Sequence, residues 1–262
     1  MAPSAATADR RALLDEVVRL AERAGVAIME IYDAGFAVER KVDASPVTAA
    51  DRAAEAVIVA GLERLTPDIP IVAEEACAAG PVPSVGAAFW LVDPLDGTKE
   101  FVERMGEFTV NIALVENAVP VLGVVHDPVA RSSYAGAGPG TARRLRANAT
   151  PEPIRARAEP AEGAVLLMSR FHNDPARVDA FLAARKQRVS ARRVAGSALK
   201  FCLIASGEAD LYPRFGPTME WDTAAGHALL LAAGGRIETL EGAPLHYAKP
   251  GFRNAGFVAR GR

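Results

Sequence analysis

The chain has 262 residues, half of them hydrophobic and 24% charged, with 30 basic against 32 acidic side chains and a formal net charge of −2. That length supports one large unit or two tightly joined subdomains with a real core, and the charge balance excludes a disordered chain or a bulk field that would gather nucleic acid or membrane. The two cysteines, Cys77 and Cys202, show no C-x-x-C spacing, so neither a disulfide framework nor a zinc ribbon is expected and a reducing cytoplasm is the simplest location.

Charged residues Asp9, Arg10, Arg11, Asp15 and Glu16 near the start are incompatible with the apolar core of a signal peptide, so this segment is expected to stay on the mature protein. Apolar residues Leu13, Val17, Leu20, Ala24, Ala27, Ile28 and Ile31 recur at helical spacing and predict an amphipathic first helix. A second helix starts near Thr48, where Thr48-Ala49-Ala50-Asp51 fits a capping box, and ends before Pro67. Four apolar runs follow as strands, Ile69 to Ala73, Ala88 to Val92, Val110 to Val115 and Val121 to Val125, the last two suited to a hairpin.

The stretch Ala135 to Pro160, rich in Ala, Arg, Gly and Pro, shows no sustained period and is the expected junction between subdomains 1–150 and 151–262. Beyond it the pattern predicts strand Val165 to Met168, helix Pro175 to Arg185, helix Ser197 to Ser206, strand Ala209 to Tyr212, helix Thr223 to Ala233 and strand Arg236 to Thr239. Strands alternating with helices imply an α/β second half. The longest uncharged stretches, Ala76 to Val92 and Thr223 to Gly235, are too short or too broken by Pro and Gly to cross a bilayer.

The chemistry concentrates in acidic residues. Asp93 and Asp96 flank Pro94-Leu95 after an apolar run and are followed by Gly97-Thr98, so both acids are expected in a tight turn at a strand end. Unpaired carboxylates about 4 Å apart repel by roughly 4 kcal/mol at an effective dielectric of 20, so a cluster of them calls for cations or protons, and oxygen-rich clusters suit Mg²⁺. Gly97 lets backbone approach a ligand closely, and N–H groups at a helix start beyond it suit a phosphate oxygen. Taken singly, each acid has a plain reading: D-P-L-D-G-T as a turn, Glu74-Glu75 as a solvated pair, and Asp51 and Asp222 as helix caps.

In combination, Glu74-Glu75, Asp93 through Thr98, and Trp221-Asp222-Thr223-Ala224-Ala225-Gly226 resemble the motifs of the lithium-sensitive phosphatase superfamily, which includes inositol monophosphatases, bisphosphate nucleotidases and fructose bisphosphatases. The resemblance implies an α+β fold, a layered αβαβα sandwich, with the site between an N-terminal half built on a mainly antiparallel sheet and an α/β C-terminal half. It implies two or three Mg²⁺ ions on Glu74, Asp93, Asp96, Asp222 and the Leu95 carbonyl. Glu74, Asp51 and Thr98 become the water-activating residues, with Glu74, Leu95, Asp96, Gly97, Thr98 and Asp222 also meeting the substrate phosphate.

Longer strings, Ser45 through Asp51, Asp93 through Asn111 and Gly196 through Gly226, are similar to the bacterial 3′(2′),5′-bisphosphate nucleotidases. That likeness implies that His172, Ser197, Lys200 and Arg214 hold the nucleotide end, remote from the metals. Ser197 fits the cap of a helix whose first turn carries Lys200, where the macrodipole disfavours a cation unless an anion binds nearby. Two departures stand out: Ser169-Arg170-Phe171-His172 where these nucleotidases have S-R-S-H, and Gly196-Ser197-Ala198 where they have G-S-S. The implied reaction is hydrolysis of adenosine 3′,5′-bisphosphate to AMP and phosphate, with 3′-phosphoadenylyl sulfate as a second substrate, clearing a by-product of sulfate assimilation. Inositol monophosphate or a sugar phosphate on the same fold is the first alternative, and a catalytically idle nucleotide or metal sensor the second. The protein is expected in the cytoplasm, with loose inner-membrane association and oligomeric state left open. His126, His227 and His246 are not spaced as a zinc site, Cys202 suits the core, and Trp90 and Trp221 suit packing.

Overall fold

The computed structural model describes residues 5–40, 46–80, 82–171 and 174–262. Helix α1 (Ala5–Ala34) covers the first periodic segment, and a short ladder of β1 (Glu39–Arg40) with β2 (Pro46–Val47) precedes α2 (Ala49–Leu65). The capping box forms as spelled: the Thr48 hydroxyl accepts from the Ala50 N–H at 3.1 Å, and Asp51 accepts from the Thr48 N–H at 2.8 Å. Strand β3 (Ile71–Ala73) runs directly into the short helix α3 (Glu74–Ala79). Next come β4 (Ala88–Asp96), α4 (Thr98–Val102), β5 (Thr109–Glu116), β6 (Val119–Asp127), β7 (Ser132–Gly136), β8 (Arg143–Arg146) and β9 (Glu152–Pro153).

These strands make a seven-stranded sheet in the order β3-β4-β5-β6-β7-β8-β9, parallel only between β3 and β4. Alternation along β4 sends Trp90 and Val92 to one face and Phe89 and Leu91 to the other. The first face is buried under Leu14, Val17, Leu20 and Ile28 of α1 and Ile58 and Leu62 of α2. Strands β8 and β9 lie in the Arg- and Gly-rich stretch that showed no period; β9 is the sheet edge and β8, beside it, is only half-buried along most of its length, so neither needs apolar alternation.

The second half adds β10 (Ala164–Ser169), α5 (Pro175–Ala184), β11 (Val189–Ala195), α6 (Leu199–Ala205), β12 (Leu211–Arg214), β13 (Thr218–Met219), α7 (Trp221–Ala233), β14 (Arg236–Thr239), β15 (Arg253–Asn254) and β16 (Phe257–Arg260). Its five-stranded sheet has the order β11-β10-β12-β16-β14, and β13 pairs with β15 in a separate ladder. Helices α6 and α7 fill the space between the two sheets, where Phe201, Ala225 and Leu229 meet Phe89, Leu91 and Val125 on one side and Tyr212, Ile237 and Phe257 on the other. Helix α5 closes the far face through Val178, Phe181 and Leu182 on Leu166, Leu211 and Val258. The layers therefore run helix, sheet, helix, sheet, helix, the expected αβαβα sandwich. No helix among the described residues is long and apolar enough to cross a membrane.

The central helix layer sits very close to the large sheet. A methyl group added at Gly123 of β6 would strike the Ala225 carbonyl oxygen and lie 2.8 Å from the Ala228 Cβ. Because that neighbour is backbone of α7 and cannot rotate away, Gly123→Ala is expected to cost about 1–3 kcal/mol by overpacking. Urea unfolding measures this; an unchanged midpoint would mean that α7 shifts without cost.

Candidate active site

Three stretches of chain deliver Glu74, Asp93, Leu95, Asp96, Thr98 and Asp222 to one cavity of about 520 Å³, and Ser197, Lys200 and Arg214 line the same cavity. Asp93 and Asp96 do not follow β4 in a turn, as expected; they belong to it. Asp93 pairs with Asn111 and Asp96 with Thr109, so one extra residue is accommodated as a bulge around Pro94, which has no N–H to give the ladder. The bulge lets the buried Asp93 accept from the Leu95 N–H at 3.1 Å. Gly97 then takes a left-handed conformation (φ 93°), and a Cβ there would lie 3.0 Å from the Glu107 carbonyl oxygen, so glycine meets both demands.

Thr98 opens α4 with its hydroxyl 3.2 Å from the Leu95 carbonyl and 3.3 Å from an Asp51 oxygen. Asp51 itself is buried behind Thr98, outside the cavity wall, and its other oxygen accepts from the Thr48 N–H and hydroxyl, each at 2.8 Å. It therefore reaches the site through the Thr98 hydroxyl.

Glu74 is the first residue of α3, whose cap position is occupied by Ala73 without a side-chain bond. Glu55 of α2 supplies the missing acceptor: its two oxygens take the Glu75 and Ala76 N–H groups at 2.8 and 2.9 Å. Burial pushes the Glu55 carboxyl up, and those two N–H groups pull it back. Sequence reasoning missed Glu55. The available signal was its i, i+4 spacing from Asp51, which puts both on one face of α2.

Asp222 was expected to cap the last long helix; it lies instead one residue inside α7, which begins at Trp221, and accepts from the Met219 N–H at 2.8 Å. Its carboxyl is pushed well above the usual range, first by burial and then by the charges of Asp96 and Glu74. Asp96 and Glu74 thus oppose the ionisation of Asp222, and a cation beside them would relieve it. Among the described residues no three acidic, His or Cys side chains stand as a ready-made cage. Mg²⁺ needs none: it keeps several waters and takes one or two carboxylates plus substrate phosphate oxygens. The all-oxygen donor set and its mutual repulsion fit that ion.

At the other end, Ser197 does not cap α6; Ala198 holds the cap position without a side-chain bond. Ser197 has φ 49° and donates its hydroxyl to Asp96 at 2.7 Å, so it touches the carboxylate cluster rather than standing remote from it. Lys200, only 4% exposed, donates to the Ala195 and Ser197 carbonyls at 3.1 and 2.5 Å. Burial lowers its ammonium to about 8, against the pull of Asp96 and Glu100. Arg214 ends β12, donates to the Ser169 hydroxyl at 3.3 Å, and keeps a buried Nε–H with no acceptor. His172 lies outside the described residues.

Glu100 and Glu107 were also missed. Glu100 is buried on the cavity wall, its carboxyl raised by burial and by Asp96. Glu107 takes the Gly196 N–H at 2.8 Å and the Arg170 guanidinium at 2.7 Å, strapping β10's end to the turn before α6. The effect of Glu107 depends on partners 89 and 63 residues away in sequence, which no local pattern records. His126 and His227 are buried against Ser133 and Tyr247, and burial lowers them to about 4 and about 3; Trp90 and Cys202 are core, while Trp221 also lines the cavity.

Comparison with known proteins places this geometry. The family model for the inositol monophosphatase family matches residues 9–258. The chain is 47% identical over 248 residues to the 3′(2′),5′-bisphosphate nucleotidase CysQ of Salmonella typhimurium, covering 94% of this chain and 98% of that protein. It is 46% identical over 250 residues to CysQ of Escherichia coli K12, with the same coverage of 94% and 98%. Among solved structures, CysQ from Bacteroides thetaiotaomicron superposes with a TM-score of 0.77 at 36% identity, covering 95% of this chain and 97% of that one. An inositol monophosphatase from Anabaena gives 0.75 at 27% identity, covering 96% and 91%.

Removing the distant cap tests how Glu74 is held. Glu55→Ala is expected to cost about 1 kcal/mol in unfolding free energy, as for other lost helix caps, and to weaken Mg²⁺ binding several-fold in titration calorimetry. A variant that loses stability but binds Mg²⁺ as before would show that β3 alone positions Glu74.

Proposed function

The chain belongs to the inositol monophosphatase family, and from that membership we propose that it is a Mg²⁺-dependent 3′(2′),5′-bisphosphate nucleotidase, hydrolysing adenosine 3′,5′-bisphosphate to AMP and phosphate. The observation that carries the reading is one cavity with an acidic wall, Glu74, Asp93, Asp96 and Asp222, and a basic wall, Lys200 and Arg214. A substrate with two phosphates suits both walls: one ester reacts at the acids and the other is held by the cations. Relatives of nearly the same length that carry the nucleotidase name support this assignment.

Each residue then has a role. Glu74, Asp93, Asp96, Asp222 and the Leu95 carbonyl would hold the two or three Mg²⁺ ions, which would supply phosphate polarisation and a lowered pKa for water. Glu74 stands ready to take the proton of the attacking water. Thr98 orients that water, and Asp51 fixes the Thr98 hydroxyl. Gly97 lets the backbone approach the scissile phosphate, with the start of α4 beside it. The unfilled Arg214 Nε–H and the Lys200 ammonium await the second phosphate, with Ser197 in contact with Lys200 and His172 assigned to the same end by the family likeness alone. A small phosphorylated nucleotide is thus the partner, and the cytoplasm the proposed location, close to sulfate assimilation.

Phosphate release from adenosine 3′,5′-bisphosphate and from inositol monophosphate, each with Mg²⁺ and with a chelator, tests the function. The bisphosphate is expected to be preferred and the chelator to stop release; a preference for inositol monophosphate would sink the nucleotidase assignment, and binding without release would make the protein a sensor. Asp93→Asn should remove turnover on either ester.

Lys200 gives a pH signature. Its ammonium sits at about 8, so the charged form that binds a phosphate is present below that pH and lost above it. The kcat/KM for the bisphosphate is expected to fall as pH rises through about 8, more steeply than for a monoester. Lys200→Ala should lower the bisphosphate value at neutral pH by roughly 10- to 100-fold, the worth of a hydrogen bond to a charged group. Equal losses on mono- and bisphosphates would refute the role.

A further inference from the structure

Phe171 is one of several cavity-lining residues that the roles above leave unused. It sits at the cavity mouth with 36% of its surface exposed, among the few large apolar side chains left that open. The Lys99 ammonium stands 5.9 Å from its ring centroid, at the outer reach of a cation–π contact. Its place on the basic side of the cavity is fixed by the two residues that precede it. Ser169, two residues earlier, accepts from Arg214 at 3.3 Å. Arg170, next to it, is tied to Glu107, which also takes the Gly196 N–H at 2.8 Å. The ring is therefore carried by a backbone anchored to β12 and to the turn before α6, the two elements that present Arg214 and Lys200.

We infer that Phe171 is a specificity-determining residue, a stacking platform for the nucleobase of the substrate. The inference rests on the nucleotidase assignment and extends it to the part of the ligand that carries no phosphate. An exposed aromatic face beside cations suits a planar π-system linked to phosphates, because base stacking on an aromatic ring is sequence-tolerant and strong enough to matter in water. A polyol such as inositol has no π-face and gains little from it. The ring is displaced from the acidic wall in function: it acts on how the substrate is held, so its signature is in KM and not in the chemical step.

The test compares adenosine 3′,5′-bisphosphate with ribose 3,5-bisphosphate, which keeps both phosphates and lacks the base, for the wild type, Phe171→Ser and Phe171→Tyr. The ratio of kcat/KM, nucleoside over ribose compound, is expected to fall about tenfold in Phe171→Ser, chiefly through KM, and to stay near wild type in Phe171→Tyr. A ratio unchanged by Phe171→Ser, or lowered equally by both substitutions, overturns the platform. If the wild type cleaves neither bisphosphate but does cleave inositol monophosphate, it is the nucleotidase assignment that fails, and the platform falls with it. The three results are distinct, and circular dichroism of an exposed-site variant confirms that folding is not what changed.

Discussion

The repulsion that Asp96 and Glu74 exert on the buried Asp222 is the constraint that the rest of the structure serves. A buried carboxyl facing like charges is costly to ionise, so a loosely built site would relax by letting its acids drift into solvent. Each acid here is denied that escape by a different element. Asp96 is fixed by the bulge in β4 and by hydrogen bonds from Ser197 and Asn111. Asp222 rides on α7, pressed so closely to the sheet that Gly123 admits no methyl group. Glu74 starts a six-residue helix, too short to hold itself together in water, and the helix is secured by Glu55. The five layers thus do more than bury apolar surface: they hold Asp222 buried within the field of Asp96 and Glu74, which raises its carboxyl.

Much of this was legible before any coordinates. The capping box at Thr48 and Asp51 is a three-residue spacing, the long helices carry a 3.6 period, and the acids fall in strings whose composition and order are distinctive. What stayed hidden was whatever depends on a partner distant in sequence. Glu55 looks like any glutamate on a helix until α3 is brought to it. Glu107 looks like a loop residue until Arg170 and Gly196 arrive. Strand β11, with its exposed Ser190, Arg192 and Arg193, and the short terminal β16 have too little apolar alternation to be seen as strands.

The errors of detail have one cause as well. Local rules place Asp, Pro, Gly and Ser at turns and caps, and at this site those residues are turned to other uses. Pro94 makes a bulge inside a strand; Asp222 moves one residue into its helix to present its carboxylate, leaving the cap position to Glu220, whose buried side chain accepts instead from the Ala248 and Lys249 N–H groups at 2.8 and 3.0 Å. Disagreement between local propensity and observed conformation is expected where function outbids stability.

Ser197 shows how the two walls of the cavity are made to act together. A serine at φ 49° sits in the left-handed region, where side chains other than glycine's carry a steric cost. Three contacts hold it there: its hydroxyl reaches Asp96 and lies 2.5 Å from the Thr109 hydroxyl, and its carbonyl receives the Lys200 ammonium at 2.5 Å. The acidic wall and the basic wall therefore share one residue, whose backbone strain these contacts offset. Sequence reasoning assigned Ser197 to the nucleotide end alone; its geometry makes it a joint between Asp96 on one wall of the cavity and Lys200 on the other.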